Sequence, residues 1–145
     1  MTDMPVSPSH LGTATTAPRR SVVKRLGKHA IVDVSNADGP LEEAEVAALL
    51  TDIARACGVT LLSIVTHPFG EGHGLTAIAV LAESHISLHE WPEYRFVAFD
   101  IFVCGHGDPG PAIALIRSQF PRAHVESQII DRQTKWLEPQ AMPTA

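Results

Sequence analysis

Three β-rich runs, at residues 59–66, 76–82 and 96–103, contain no helical stretch between them, and each is too apolar to face water on both sides. Runs of that kind need cover, and two helical stretches are available to supply it. The first opens at Asp38-Gly39-Pro40, with Pro near the first helical position and Glu42, Glu43 and Glu45 where the positive end of the helix dipole favours carboxylates. Its apolar stripe is Val46, Leu49, Leu50, Ile53 and Cys57, and Gly58 ends it. The second opens at Asp108-Pro109, runs through Ile113, Ile116 and Phe120, and stops at Pro121. A strand at residues 30–34 precedes the first helix and another at 124–130 follows the second. The order β-α-β-β-β-α-β predicts an α+β two-layer sandwich: a mostly antiparallel sheet with two helices on one face. The other face also needs cover, and in a chain of 145 residues a second copy is the natural supplier.

Composition narrows what such a sandwich does. With 45% hydrophobic residues the chain holds one core and one domain, expected at residues 25–133. Residues 1–24, rich in Pro, Ser, Thr and small side chains without periodicity, are expected to form a flexible tail, and 134–145 a polar one. A formal charge of -5 offers no basic face for nucleic acid. Cys57 and Cys104 lie far apart, no secretory apolar stretch is evident, and none follows Arg19-Arg20, so a reducing, cytoplasmic location is expected. No run of about 18 apolar residues is present to span a membrane.

Chemistry-bearing residues concentrate between Glu83 and Cys104. Ser84 lies between a carboxylate and an imidazole, an arrangement that by itself describes an ordinary turn. His89 falls on the opposite parity from Ser84, so the two cooperate only if the chain turns or bulges between them. His85 and His89 share parity, and His67, His73 or His106 would be needed to complete a zinc site. Pro92 argues against a helix after His89-Glu90-Trp91, which disfavours metalloprotease chemistry. Cys104 ends an apolar run just before Gly105-His106-Gly107-Asp108, a position that favours partial exposure, whereas Cys57 sits on a helix stripe and belongs to the core.

Taken together, Glu83-Ser84-His85-Ile86-Ser87 with His89, Trp91-Pro92-Glu93-Tyr94 and then Phe99-Asp100-Ile101-Phe102 with Cys104-Gly105 resembles the self-processing site of prokaryotic S-adenosylmethionine decarboxylases. The resemblance covers about residues 26–130 and includes Gly74-Leu75-Thr76 upstream. It implies a proenzyme in which the Ser84 hydroxyl attacks the Glu83 carbonyl to give an ester. Elimination then cuts the chain into a β chain, 1–83, and an α chain, 84–145, that begins with a pyruvoyl cofactor. That cofactor forms a Schiff base with the substrate amine. By the same resemblance His89 takes part in processing by removing the serine α-proton, Thr76 stands where a serine usually stabilises the processing intermediate, and Cys104 returns a proton to the substrate α-carbon. Phe69 and Trp91 would flank the adenine and Glu93 would hold the ribose hydroxyls. The implied product is the decarboxylated aminopropyl donor of spermidine and polyamine biosynthesis, and the implied assembly is a homodimer whose site is shared between protomers.

Three features depart from the pattern: Glu90 between His89 and Trp91, the glycine-rich loop at residues 70–74, and the long N-terminal tail. An additional carboxylate near the site would suit a second amine, so a pyruvoyl decarboxylase of ornithine or arginine is the first alternative. An unprocessed ligand-binding module on the same fold is the second.

Overall fold

Period-two alternation organises the sheet. The computed structural model describes residues 26–82 and 84–132. Strand β1 (Gly27–Ser35) buries Ala30, Val32 and Val34 on one face and leaves Ile31 and Asp33 half-buried on the other. Helix α1 (Glu43–Ala56) follows, then strands β2 (Leu61–Pro68), β3 (Leu75–Leu81), β4 (His85–Trp91) and β5 (Phe96–Cys104), with one 3-10 turn at Pro92–Tyr94 between the last two. Helix α2 (Gly110–Gln119) and strand β6 (His124–Arg132) complete the described chain. Among the described residues the strands form one sheet in the order β2-β3-β4-β5-β1-β6, every neighbouring pair antiparallel.

Both helices cover the same face. Val46, Leu50, Ile53 and Ala54 of α1 and Ala112 and Ile116 of α2 are buried with Val97, Phe99, Ile101 and Val103 of β5 and with Ile86 and Leu88 of β4. Phe99 is fully buried and meets Phe120 edge to face, with ring centroids 6.3 Å apart. The α+β sandwich is therefore as expected, with one strand more: β4 fills the interval between the second and third β-rich runs. Its inward residues Ile86, Leu88 and Glu90 alternate with His85, Ser87, His89 and Trp91. An acidic residue on the buried side and imidazoles on the other hide the apolar alternation.

The first helix also begins later than Asp38-Gly39-Pro40 implies. Its N-cap is Glu42, whose backbone N–H donates to Glu45 Oε2 at 3.3 Å. Pro40 stays in the preceding loop, where the next residue, Leu41, gives its N–H to the Glu90 carboxylate at 2.9 Å instead of starting a helical turn. At the other end Gly58, with φ +70°, terminates α1 as expected. The two tails expected at residues 1–24 and 134–145 lie outside the described residues.

The second face of the sheet has no helix on it among the described residues. Val65, Ile78 and Val80 stand there 63%, 42% and 41% exposed, beside half-buried Ile31, Ala98 and Phe102. A small polar cluster interrupts this surface: His29 Nε2 lies 3.1 Å from Asp100 Oδ1, and Ser87 Oγ donates to Asp100 Oδ2 at 3.5 Å.

Candidate active site

The site residues that the resemblance implies divide into two groups at opposite ends of β4, and the strand members Thr76, His89, Trp91 and Cys104 fall on this uncovered side. Ser84 sits just before β4, where the Leu81 N–H donates to the Ser84 carbonyl at 3.0 Å and closes the turn from β3. It thus precedes the strand and is not held to the strand's alternation. Glu83, the other half of the expected cleavage bond, lies outside the described residues. Ser84 lines a cleft of ≈ 290 Å³ together with Thr60, Cys104 and His106. Cys104, the last residue of β5, is half-buried, whereas Cys57 is only 3% exposed and burial pushes its thiol up to about 11. The half-buried thiol, not the core one, therefore shares a cleft with the serine.

The second group is fixed by strand register. Thr76 and His89 are direct partners across the β3–β4 ladder, and Thr76 Oγ1 lies 2.9 Å from His89 Nδ1. Trp91 is two positions along on the same face, with its ring 6.0 Å from His89 and 5.7 Å from Phe96. With Tyr94 and Phe96, Trp91 lines an open aromatic cleft of ≈ 440 Å³. Phe69, just beyond the β2 end of this ladder, packs edge to face on His67 at 5.2 Å, and His67 pairs with Thr76. Glu93 is exposed in the 3-10 turn.

Five residues of extended strand separate Ser84 from His89, roughly 17 Å at ~3.3 Å per residue. Within one chain these two groups do not form a single site. Among the described residues no group of three or more His, Cys, Asp or Glu side chains is placed to hold a metal ion.

Glu90 is on the other face. It is 4% exposed, its Oε1 accepts the Leu41 N–H, and its Oε2 is buried without a partner among the described residues. The reading of Glu90 as an additional carboxylate for a second substrate amine is therefore corrected: strand alternation turns it away from His89 and Thr76, toward the β1–α1 loop. Burial raises its carboxyl above the ordinary range, a shift that the Leu41 hydrogen bond opposes. The folded chain thus holds that proton more tightly than the unfolded chain does. This contribution to stability is full at pH values below the ordinary carboxylate range and is lost as pH rises through the raised folded-state value. Glu90→Gln should remove that dependence. In melting curves on an uncleaved Ser84→Ala background it is expected to gain about 1–3 kcal/mol over its parent at pH 8 and little at pH 4. A variant that tracks the parent at both pH values would contradict this account.

The family model described as S-adenosylmethionine decarboxylase matches residues 28–133. The chain belongs to that family. It is 47% identical over 98 residues to an S-adenosylmethionine decarboxylase proenzyme of Methanococcus aeolicus, covering 66% of this chain and 83% of the relative. A proenzyme of the same description from Prochlorococcus marinus is 37% identical over 123 residues, covering 83% and 94%. The crystal structure of the adenosylmethionine decarboxylase of Aquifex aeolicus superposes with a TM-score of 0.67 at 28% identity, over 81% of this chain and 99% of that one.

Within this S-adenosylmethionine decarboxylase fold, the structure adds two things that sequence reading missed. Tyr94 and Phe96 join Trp91 in an aromatic cleft, which the alternating aromatics after Pro92 signal once β5 is recognised. His106, weighed in the sequence only as a metal ligand, lines the Ser84 and Cys104 cleft instead.

Proposed function

We propose that the chain is the self-processing, pyruvoyl-dependent decarboxylase of S-adenosylmethionine, cut between Glu83 and Ser84, and that it supplies the decarboxylated aminopropyl donor for polyamine synthesis. The observation that carries this reading is the cleft that gathers Ser84, in a tight turn, with the half-buried thiol of Cys104. A serine that is to become an N-terminal ketone needs a turn with room around it and a proton source nearby, and these residues fit that group.

In processing, the Ser84 hydroxyl oxygen bonds to the Glu83 carbonyl carbon as the peptide C–N bond breaks, giving an ester and a free Ser84 amine. Removal of the Ser84 α-proton then expels the Glu83 carboxylate, and hydration releases ammonia to leave the pyruvoyl terminus on the α chain. Such steps need a positioned base and a stabilised oxyanion. His89 is assigned the α-proton, and Thr76 Oγ1, at 2.9 Å from His89 Nδ1, is assigned to orient that ring and support the intermediate. In turnover the pyruvoyl ketone supplies a partner for the substrate amine and an acceptor for the electrons released with CO2. Cys104 gives the substrate α-carbon its proton, Phe69 and Trp91 flank the adenine, and Glu93 accepts from the ribose hydroxyls.

Because His89 and Thr76 lie roughly 17 Å of strand away from Ser84, each complete site is assigned to two protomers of a homodimer. The apolar uncovered face is the surface that would pair. Two copies packed across it with their β4 strands antiparallel would bring the partner subunit's His89 toward Ser84. The two cysteines, both free, support a reducing, cytoplasmic location. No described helix is long and apolar enough to cross a membrane.

The substrate is tested by CO2 release from carboxyl-labelled S-adenosylmethionine, ornithine and arginine. Release from the nucleoside substrate alone is expected, since Glu90, the carboxylate that would favour a diamine-type substrate, is turned to the other face. Turnover of ornithine or arginine with none of S-adenosylmethionine would overturn the assignment.

A further inference from the structure

The cycle proposed above leaves Cys104 as a thiolate after each turnover, and something must return its proton inside the cleft. Besides position 84, a ketone by this stage, and Thr60, whose hydroxyl does not titrate near neutrality, the cleft that holds Cys104 is lined by glycines, apolar side chains and one imidazole, that of His106. Its position is set by the backbone. The Gly107 N–H donates to the Cys104 carbonyl at 3.1 Å, closing a turn, and Gly105 at φ +62° takes the left-handed conformation that turn requires. A side chain at Gly107 would meet Val103 and Val59 at 2.9 Å, so the turn is held against the core. His106 therefore stands at a fixed place in the turn that follows the thiol. Its ring makes no hydrogen bond or ion pair among the described residues, unlike His29, His73, His89 and His124.

We propose that His106 is the proton relay of this cleft. As the Cys104 S–H bond breaks and the substrate α-carbon gains that proton, the sulfur is left anionic. A ring N–H of protonated His106 then breaks to re-form S–H, and water reprotonates the imidazole. The proposal rests on the assignment of Cys104 as proton donor. Other ionisable groups on the same loop and on neighbouring strands, none of them lining the cleft, are Asp108, paired with Lys28 at 2.9 Å, Arg132, whose guanidinium sits 5.5 Å over the Phe102 ring, and His85, 5.8 Å from that ring.

Two readouts test it. On the uncleaved Ser84→Ala chain, alkylation of Cys104 by iodoacetamide is followed by mass from pH 5 to 9, with buried Cys57 as the internal control. A protonated imidazole nearby favours the thiolate, so His106→Gln should slow alkylation about threefold to tenfold near pH 6 and shift the profile upward. On the processed enzyme, with rates expressed per cleaved chain, His106→Ala should lower kcat about tenfold and free imidazole should restore it. A solvent-facing turn residue would show no imidazole rescue. Unchanged alkylation and an unchanged pH profile of kcat in both variants would overturn the relay. If Cys104→Ala keeps full turnover, the donor assignment falls and the relay with it. If Cys104→Ala is impaired while both His106 variants behave as wild type, only the relay falls. Should the wild type remain uncut, the alkylation comparison still decides whether His106 and Cys104 are coupled.

Discussion

Cys104→Ala is expected to leave the chain cut at Ser84 while lowering turnover of S-adenosylmethionine by roughly 10²–10⁴-fold, the range set by loss of a positioned proton donor. The two jobs are separated by position. The groups assigned to processing, His89 and Thr76, hydrogen-bond to each other at one end of β4, whereas Cys104 opens into the cleft at the other end with Ser84. Alanine removes only the sulfur from a half-buried site at the end of a strand, so the β5 core residues Val97, Phe99, Ile101 and Val103 keep their packing. Intact mass reports the cut and CO2 release reports turnover. A Cys104→Ala chain that stays uncut would show that the thiol takes part in processing and that the division is wrong.

The second large effect concerns the shared site. Ser84→Ala and His89→Ala should each abolish cleavage when purified alone. Unfolded together and refolded at equal concentration, they should regain it in one component only. A heterodimer places the intact Ser84 of the His89→Ala chain against the intact His89 of the Ser84→Ala chain, while its second site has neither. Mass spectrometry should therefore find only the His89→Ala chain cut, to at most about half with random pairing of two copies. No cleavage in the mixture, with heterodimers shown to form, would place both groups within one protomer. That outcome is hard to reconcile with five residues of regular strand between them.

This separation also explains what the sequence could and could not reveal. The helices were legible because their stripes, Val46 through Cys57 and Ile113 through Phe120, repeat at helical spacing and end at Gly58 and Pro121. β1, β3 and β5 were legible as apolar or alternating runs. β4 was not, since its outward face carries His85, Ser87, His89 and Trp91 and its inward face ends in Glu90, so neither face reads as plainly apolar. Missing it also concealed the pairing of Thr76 with His89. That pairing follows from a tight connection after Leu81, because antiparallel register is set by the turn. Glu90 misled for a related reason: its neighbours in sequence are site residues, but adjacent residues of a strand point to opposite faces. The chemistry of the individual residues was readable in order along the chain. Their division into two half-sites depends on the length of a strand that the linear pattern did not disclose.

The most direct test of the account is the intact mass of the purified protein under denaturing conditions, beside a Ser84→Ala control. Two fragments of roughly 9 and 7 kDa, the smaller beginning with a pyruvoyl group at position 84 and absent from the control, are the expected result. A single uncut chain that persists after prolonged incubation, indistinguishable from the control, would contradict self-processing and with it the proposed enzyme.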